Sequence, residues 1–185
     1  EYDWQEPFDF VQVGYYSGAT AKALTAAVEL GGDPADFGGV DLVERLEGLV
    51  QPTGRLQDDS SYGDYANSIG QGFAVRGLAA VGSEAADEVT DFLLLQQCAN
   101  GGFRLDFTRA GGVADESGCT DSAQADPDVT SYALMALQTL EAPSSEVTGA
   151  IEEGVEYLVD LQKADGSFGG GTSTDVTVVV RGEPA

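Results

Sequence analysis

The sequence predicts an all-α fold of helical hairpins, about three helix pairs forming a partial barrel, and three observations predict it. Helical segments of two kinds alternate along the chain, some apolar nearly all round and some apolar on one face only. Glycine corners at Gly54, Gly101 and Gly166 close the one-sided segments. The composition is that of a folded protein: 42% apolar residues, with eight Phe, seven Tyr and one Trp among 185 positions. A chain of this length hides roughly 70% of its unfolded surface, enough for one domain over 1–185.

Three helices are expected to be enclosed. They cover about 17–31, 66–82 and 127–141, and contain ATAKALTAAVEL, SIGQGFAVRGLAAVG and VTSYALMALQTL. Small residues all round allow close approach of neighbours. Ser17, Asn67 and Asp126 or Asp128 stand where an N-cap accepts from a backbone N–H that otherwise lacks a partner. Three one-sided helices are expected at about 37–51, 84–97 and 145–162. Val147, Ile151, Val155 and Leu158 show the helical spacing of such a face.

Each one-sided helix runs into a repeated ending: LVERLEGLVQPTGRL, TDFLLLQQCANGGF and GVEYLVDLQKADGSF. The glycine suits the left-handed residue at a helix C-terminus, and Leu56, Phe103 and Phe168 then turn back onto the layer below. The corners lie 47 and 65 residues apart, so the third unit carries an insertion, Thr108 to Ala125. The units are about 10–56, 57–103 and 104–175. The insertion is expected to be a long loop without regular structure. The segment Asp175 to Arg181 reads as a strand.

The stretches Gln97-Cys-Ala-Asn-Gly101-Gly102-Phe103 and Gln162-Lys-Ala-Asp-Gly166-Ser-Phe168 resemble the Gln-x-x-x-Gly-x-Phe/Trp repeat of terpene cyclases and protein prenyltransferase β subunits. The copy ending Gly54-Arg-Leu56 is a partial one. The resemblance implies α/α toroid-type helical hairpin repeats, with inner helices around a cavity and outer helices wrapped over them. The family's catalytic sets are not carried over. The zinc set of the prenyltransferases needs a His and this chain has none, and the Asp-x-Asp-Asp cluster of squalene-type cyclases finds only Asp126-Pro-Asp128-Val. A closed toroid in that family uses about twice as many helix pairs, so the chain is expected to form a homodimer completing the ring, to bind a partner along an open edge, or to lack a second half.

Composition narrows the function. Eight Lys and Arg against 32 Asp and Glu give a charge of −24, which repels nucleic acid and anionic membranes. The absence of His excludes histidine bases, Ser/His/Asp triads and imidazole zinc ligands. The longest apolar run, Tyr132 to Leu137, is too short to span a membrane. The chain begins at Glu1 without an initiator Met, which fits a removed leader or a fragment of something longer. Cys98 and Cys119 are expected to form a disulfide in an oxidising compartment, placing the protein outside the cell or on its surface.

The candidate ligand-binding residues are Tyr62, Tyr65, Asn67, Gln71, Arg76, Asp126, Asp128 and Tyr132, grouped near the starts of the enclosed helices. Arg76 is the lone charge in its helix and is expected to hold a carboxylate, whether a ligand's or a neighbour's. Asp58, Asp59 and Asp64, and Asp115, Glu116 and Asp121, form acidic loops without EF-hand spacing. No metal or cofactor is expected. The leading reading is a secreted or cell-surface binding module for a protein or small apolar ligand. The alternative is a cyclase- or prenyltransferase-like enzyme, or a fragment of one, acting on an isoprenoid.

Overall fold

A computed structural model describes residues 14–109 and 113–168. The expected strand at 175–181, and the outer ends of the first and third repeat units, lie outside the described residues. What is described is mostly helical: α1 (Ser17–Glu29), α2 (Leu42–Glu47), α3 (Ser68–Val81), α4 (Ala86–Leu94), α5 (Pro127–Leu137) and α6 (Ser145–Leu161).

The helices sort into two layers. α1 packs most extensively on α3, and α3 on α5, while α2, α4 and α6 each pack on the helix that precedes them. α1 and α3 run parallel. Gly18 meets Gly70 at one end, and Gly77 meets Leu24 and Thr25 further along. A Cβ on Gly70 would come within 3.0 Å of the Gly18 Cα, so the close approach depends on the small residues there. The shared core joins Leu24, Leu46, Leu78, Phe92, Phe103, Phe107 and Leu137, all fully buried.

Capping follows the sequence at α3 and α5. The Asn67 side-chain Oδ1 accepts from Gly70 N–H at 3.1 Å, and the Asp126 carboxylate accepts from the N–H groups of Asp128 and Val129. It departs at α1. Ser17 is the first helical residue and not the cap, and the residue before it, Tyr16, makes no side-chain cap. Asp58 caps the helix from 41 residues away: its Oδ1 accepts the Ser17 N–H at 2.7 Å and the Ser17 hydroxyl at 2.6 Å. A carboxylate at a helix N-terminus both satisfies an orphan donor and meets the positive end of the helix dipole.

Helix α2 is much shorter than the expected 37–51. Gly38 and Gly39 both take positive φ, which holds the chain in turns until Asp41 caps the helix on Glu44. The described parts of the insertion also depart from the expected loop without regular structure, because short strands pair there. β1 (Phe103–Arg104) pairs antiparallel with β4 (Ala125–Asp126), and β2 (Thr108–Arg109) with β3 (Val113–Ala114). A short 3₁₀ turn, Ser122–Gln124, precedes β4.

Cys98 and Cys119 are joined in a disulfide that ties the insertion to the end of α4, and Cys119 N–H donates to the Leu95 carbonyl at 2.8 Å beside it. Replacing both cysteines by alanine should lower the unfolding free energy by about 3 kcal/mol on the chain-entropy argument for a loop of this size. Urea unfolding in non-reducing buffer reads this directly. An unchanged midpoint would mean that the noncovalent contacts of the insertion hold it alone.

Candidate functional site

The helices of the first layer each leave one stripe exposed or, on α3, half-buried. On α1 it runs through Ala19, Lys22, Ala26 and Glu29, on α3 through Ile69, Phe73 and Arg76, and on α5 through Tyr132 and Met135. These spacings of three and four residues keep each set on one helical face. Three contacts show that the stripes adjoin. Lys22 Nζ lies 5.7 Å over the Phe73 ring, the Phe73 and Tyr132 rings stand 6.1 Å apart, and Arg76 pairs with Glu29.

The result is a continuous strip with an apolar stretch, Ile69, Phe73, Tyr132 and Met135, and a charged flank of Lys22, Arg76 and Glu29. Tyr132 is 44% exposed and Met135 52%. Large apolar side chains left open in one contiguous patch mark a surface that meets something. Two of the chain's eight basic residues lie on this strip.

The candidate residues separate accordingly. Tyr132 and Arg76 belong to the strip, and the Arg76 carboxylate partner is Glu29 of the same chain. Tyr62 and Tyr65 are exposed on the loop before α3, where the Tyr65 hydroxyl donates to the Tyr62 carbonyl. Asn67 and Asp126 serve as helix caps, and Asp128 is buried in the first turn of α5. Gln71 is fully buried and offers no surface to a ligand. Its Nε2 donates to the carbonyls of Gly54 and Val89, and its Oε1 accepts the Leu56 N–H.

The acidic loops are occupied with internal bonds. Asp64 Oδ2 accepts from the fully buried Arg55 guanidinium at 2.6 Å, while its Oδ1 accepts the Asp58 and Ala66 N–H groups. Arg55 also donates to Thr108 and lies over the Phe107 ring. Beside the insertion, Arg104 of β1 is held by Gln96, Asp115 and the Ser117 carbonyl. Among the described residues no group of three or more His, Cys, Asp and Glu is arranged to hold a metal ion. Next to β4, burial pushes the Tyr157 phenol above its ordinary pKa, and the negative charge of Asp126 adds to the shift.

Sequence reasoning missed Phe73, Lys22 and Met135, and it missed the buried Arg55 and Arg104. The helical spacing of Ile69, Phe73 and Arg76 was visible, but so was an apolar residue on every other face of α3. Only its neighbours decide which face stays open.

The three glycine corners share one geometry. At Gln51, Cys98 and Lys163 the N–H donates to a carbonyl four residues on, at 2.8 Å in each, and the glycine N–H donates back. The glycines have φ of 80°, 84° and 84°. Leu56, Phe103 and Phe168 are all buried.

No protein-family model matches this chain, and none of the curated proteins does. Among solved structures, one described as the crystal structure of a protein from Actinoplanes is similar over 83% of this chain, with a TM-score of 0.51 at 20% identity. The match spans 39% of that protein's length, and at this identity what the two share is the fold.

Proposed function

We propose that the chain is a non-catalytic binding module of the α/α toroid repeat type, working outside the cell or on its surface, that takes a small apolar ligand along the strip on α1, α3 and α5. The observation that carries this reading is the run of half-buried Phe73 and exposed Tyr132 and Met135 across adjacent helices of one layer. Three corners of one geometry, each closing a helical hairpin, support the repeat assignment. The disulfide supports an oxidising compartment.

The chemistry of the strip specifies the ligand class. Aromatic faces and a flexible thioether accept an alkyl or isoprenoid body with few directional demands. Lys22 and Arg76 beside them favour an anionic end group, although Glu29 offsets one of the two charges. The binding energy comes from apolar area, about 1.5–3 kcal/mol for each large side chain covered.

Calorimetric titration with dodecanoate and with farnesol tests this. Tyr132→Ala and Phe73→Ala should each weaken binding about tenfold or more, the equivalent of one lost aromatic contact. Lys22→Gln should weaken dodecanoate and leave farnesol unchanged. No binding of either probe, or binding indifferent to both aromatic substitutions, would overturn the proposal.

A further inference from the structure

The first two corners each dock on the outer helix of the next pair. A Cβ at Gly54 would overlap the Glu88 carbonyl of α4, and one at Gly101 would overlap the Glu153 carbonyl of α6. Glutamine side chains clamp both joints. Gln71 Nε2 donates to the Gly54 and Val89 carbonyls, and Gln97 Nε2 donates to those of Gly101 and Ala150, at 2.7 to 3.0 Å.

The third corner is built the same way and is docked on nothing among the described residues. Gln162 Nε2 donates to the Gly166 carbonyl at 3.2 Å, the counterpart of the Gln97 bond to Gly101, but the second acceptor across the joint has no counterpart. A Cβ at Gly166 would meet only Gln162 itself, at 4.0 Å. The corner is nevertheless well formed. Ser167 donates its hydroxyl and its N–H to Asp165, which holds that carboxyl below the usual carboxylate range. Lys163, one of eight basic residues, is exposed on it.

At the other end of the layer, α2 is the one outer helix on which no described corner rests. By the spacing of the corners, Asp41 stands where Glu88 stands in α4 and Glu153 in α6. A groove of about 450 Å³ runs along this face, lined by Asp41, Glu44, Arg45 and Gly48 with Tyr15 and Asp59. It is mainly acidic and the corner carries a lysine, so the two are complementary in charge as well as in the type of joint.

We infer that a second copy of this chain seats its Gly166 corner in the α2 groove, head to tail, repeating between chains the joint that Gly54 and Gly101 make within one. Among the described residues each copy offers one undocked corner and one such groove, so a pair in which each corner enters the other copy's groove completes both joints. The inference rests on the corner geometry and is independent of the ligand strip. The mutual repulsion of two chains at −24 is screened beyond about 8 Å at physiological salt, whereas the contact between Lys163 and the groove acids lies within that range.

Analytical ultracentrifugation of the 185-residue chain in physiological salt tests it. The expected result is a reversible dimer of the 19.2 kDa chain. Lys163→Glu and Glu44→Lys should each weaken it about tenfold, and the double reversal should restore most of the affinity, because the two charges face each other across the joint. Both residues are exposed, so the unfolding midpoint at low concentration should stay unchanged and separates loss of association from loss of fold. A monomer at every concentration would overturn the inference. So would a dimer indifferent to both reversals.

Discussion

Placing a methyl group at Gly54 or Gly101 should cost about 3–5 kcal/mol of unfolding free energy, while the same change at Gly166 should cost only about 1–2 kcal/mol. All three glycines sit at positive φ, so alanine carries the same backbone strain in each place. What differs is the surroundings. At the first two corners the new carbon would run into a helix backbone carbonyl, which cannot rotate aside as a side chain end would. At the third it would meet only the end of the Gln162 side chain, at 4.0 Å.

A domain of this size has about 5–15 kcal/mol of total stability, so Gly54→Ala or Gly101→Ala would come close to unfolding it. Urea midpoints for the three variants, measured at low concentration where any self-association is absent, give the comparison. Equal losses at all three would show that backbone strain alone is at work, and that the corners do not bear on the next helix. The joint proposed between chains would then lose its template as well.

The second large effect is expected at Asp64. Removing its carboxylate by Asp64→Ala leaves the Arg55 guanidinium fully buried without its counter-charge, at a cost of about 3–5 kcal/mol. The substitution also strips acceptors from the Asp58 and Ala66 N–H groups, so the loop that caps α1 through Asp58 should loosen. Arg55→Met should cost less. It removes the charge that needs a partner, keeps much of the packing over Phe107, and leaves Asp64 bonded to two backbone donors.

The double change Arg55→Met with Asp64→Asn should recover part of what Asp64→Ala loses, because replacing both members of a buried pair avoids the uncompensated charge. Chemical denaturation of the three variants gives the order directly. If Asp64→Ala were as mild as a surface substitution, the pair would be accessible to water, contrary to its complete burial at Arg55.

The six helices were legible because their signals are local. Asn67 and Asp126 lie within three residues of the N–H groups they cap, and apolar spacing in α4 and α6 is periodic over one helix. The glycine corners were legible because the left-handed conformation selects a residue type outright. The extent of α2 was misjudged since the apolar pattern continues past both of its ends, while Gly38 and Gly39 end it from outside the pattern.

By itself, then, the sequence determined the helical class, the two kinds of helix, the disulfide candidates and the three corners, all of which depend on interactions between residues near one another in the chain or on residue type alone. The tertiary structure decided which face of α1, α3 and α5 stays open, that Asp58 caps a helix 41 residues away, and that Arg55 and Arg104, rather than Arg76, are the buried cations among the described residues. It decided too which corner has no helix to rest on among the described residues. Each of these is a property of neighbours brought together by folding. Burial and pairing are set by what surrounds a side chain in space, and a helix apolar on every side does not state which side will be left without a neighbour.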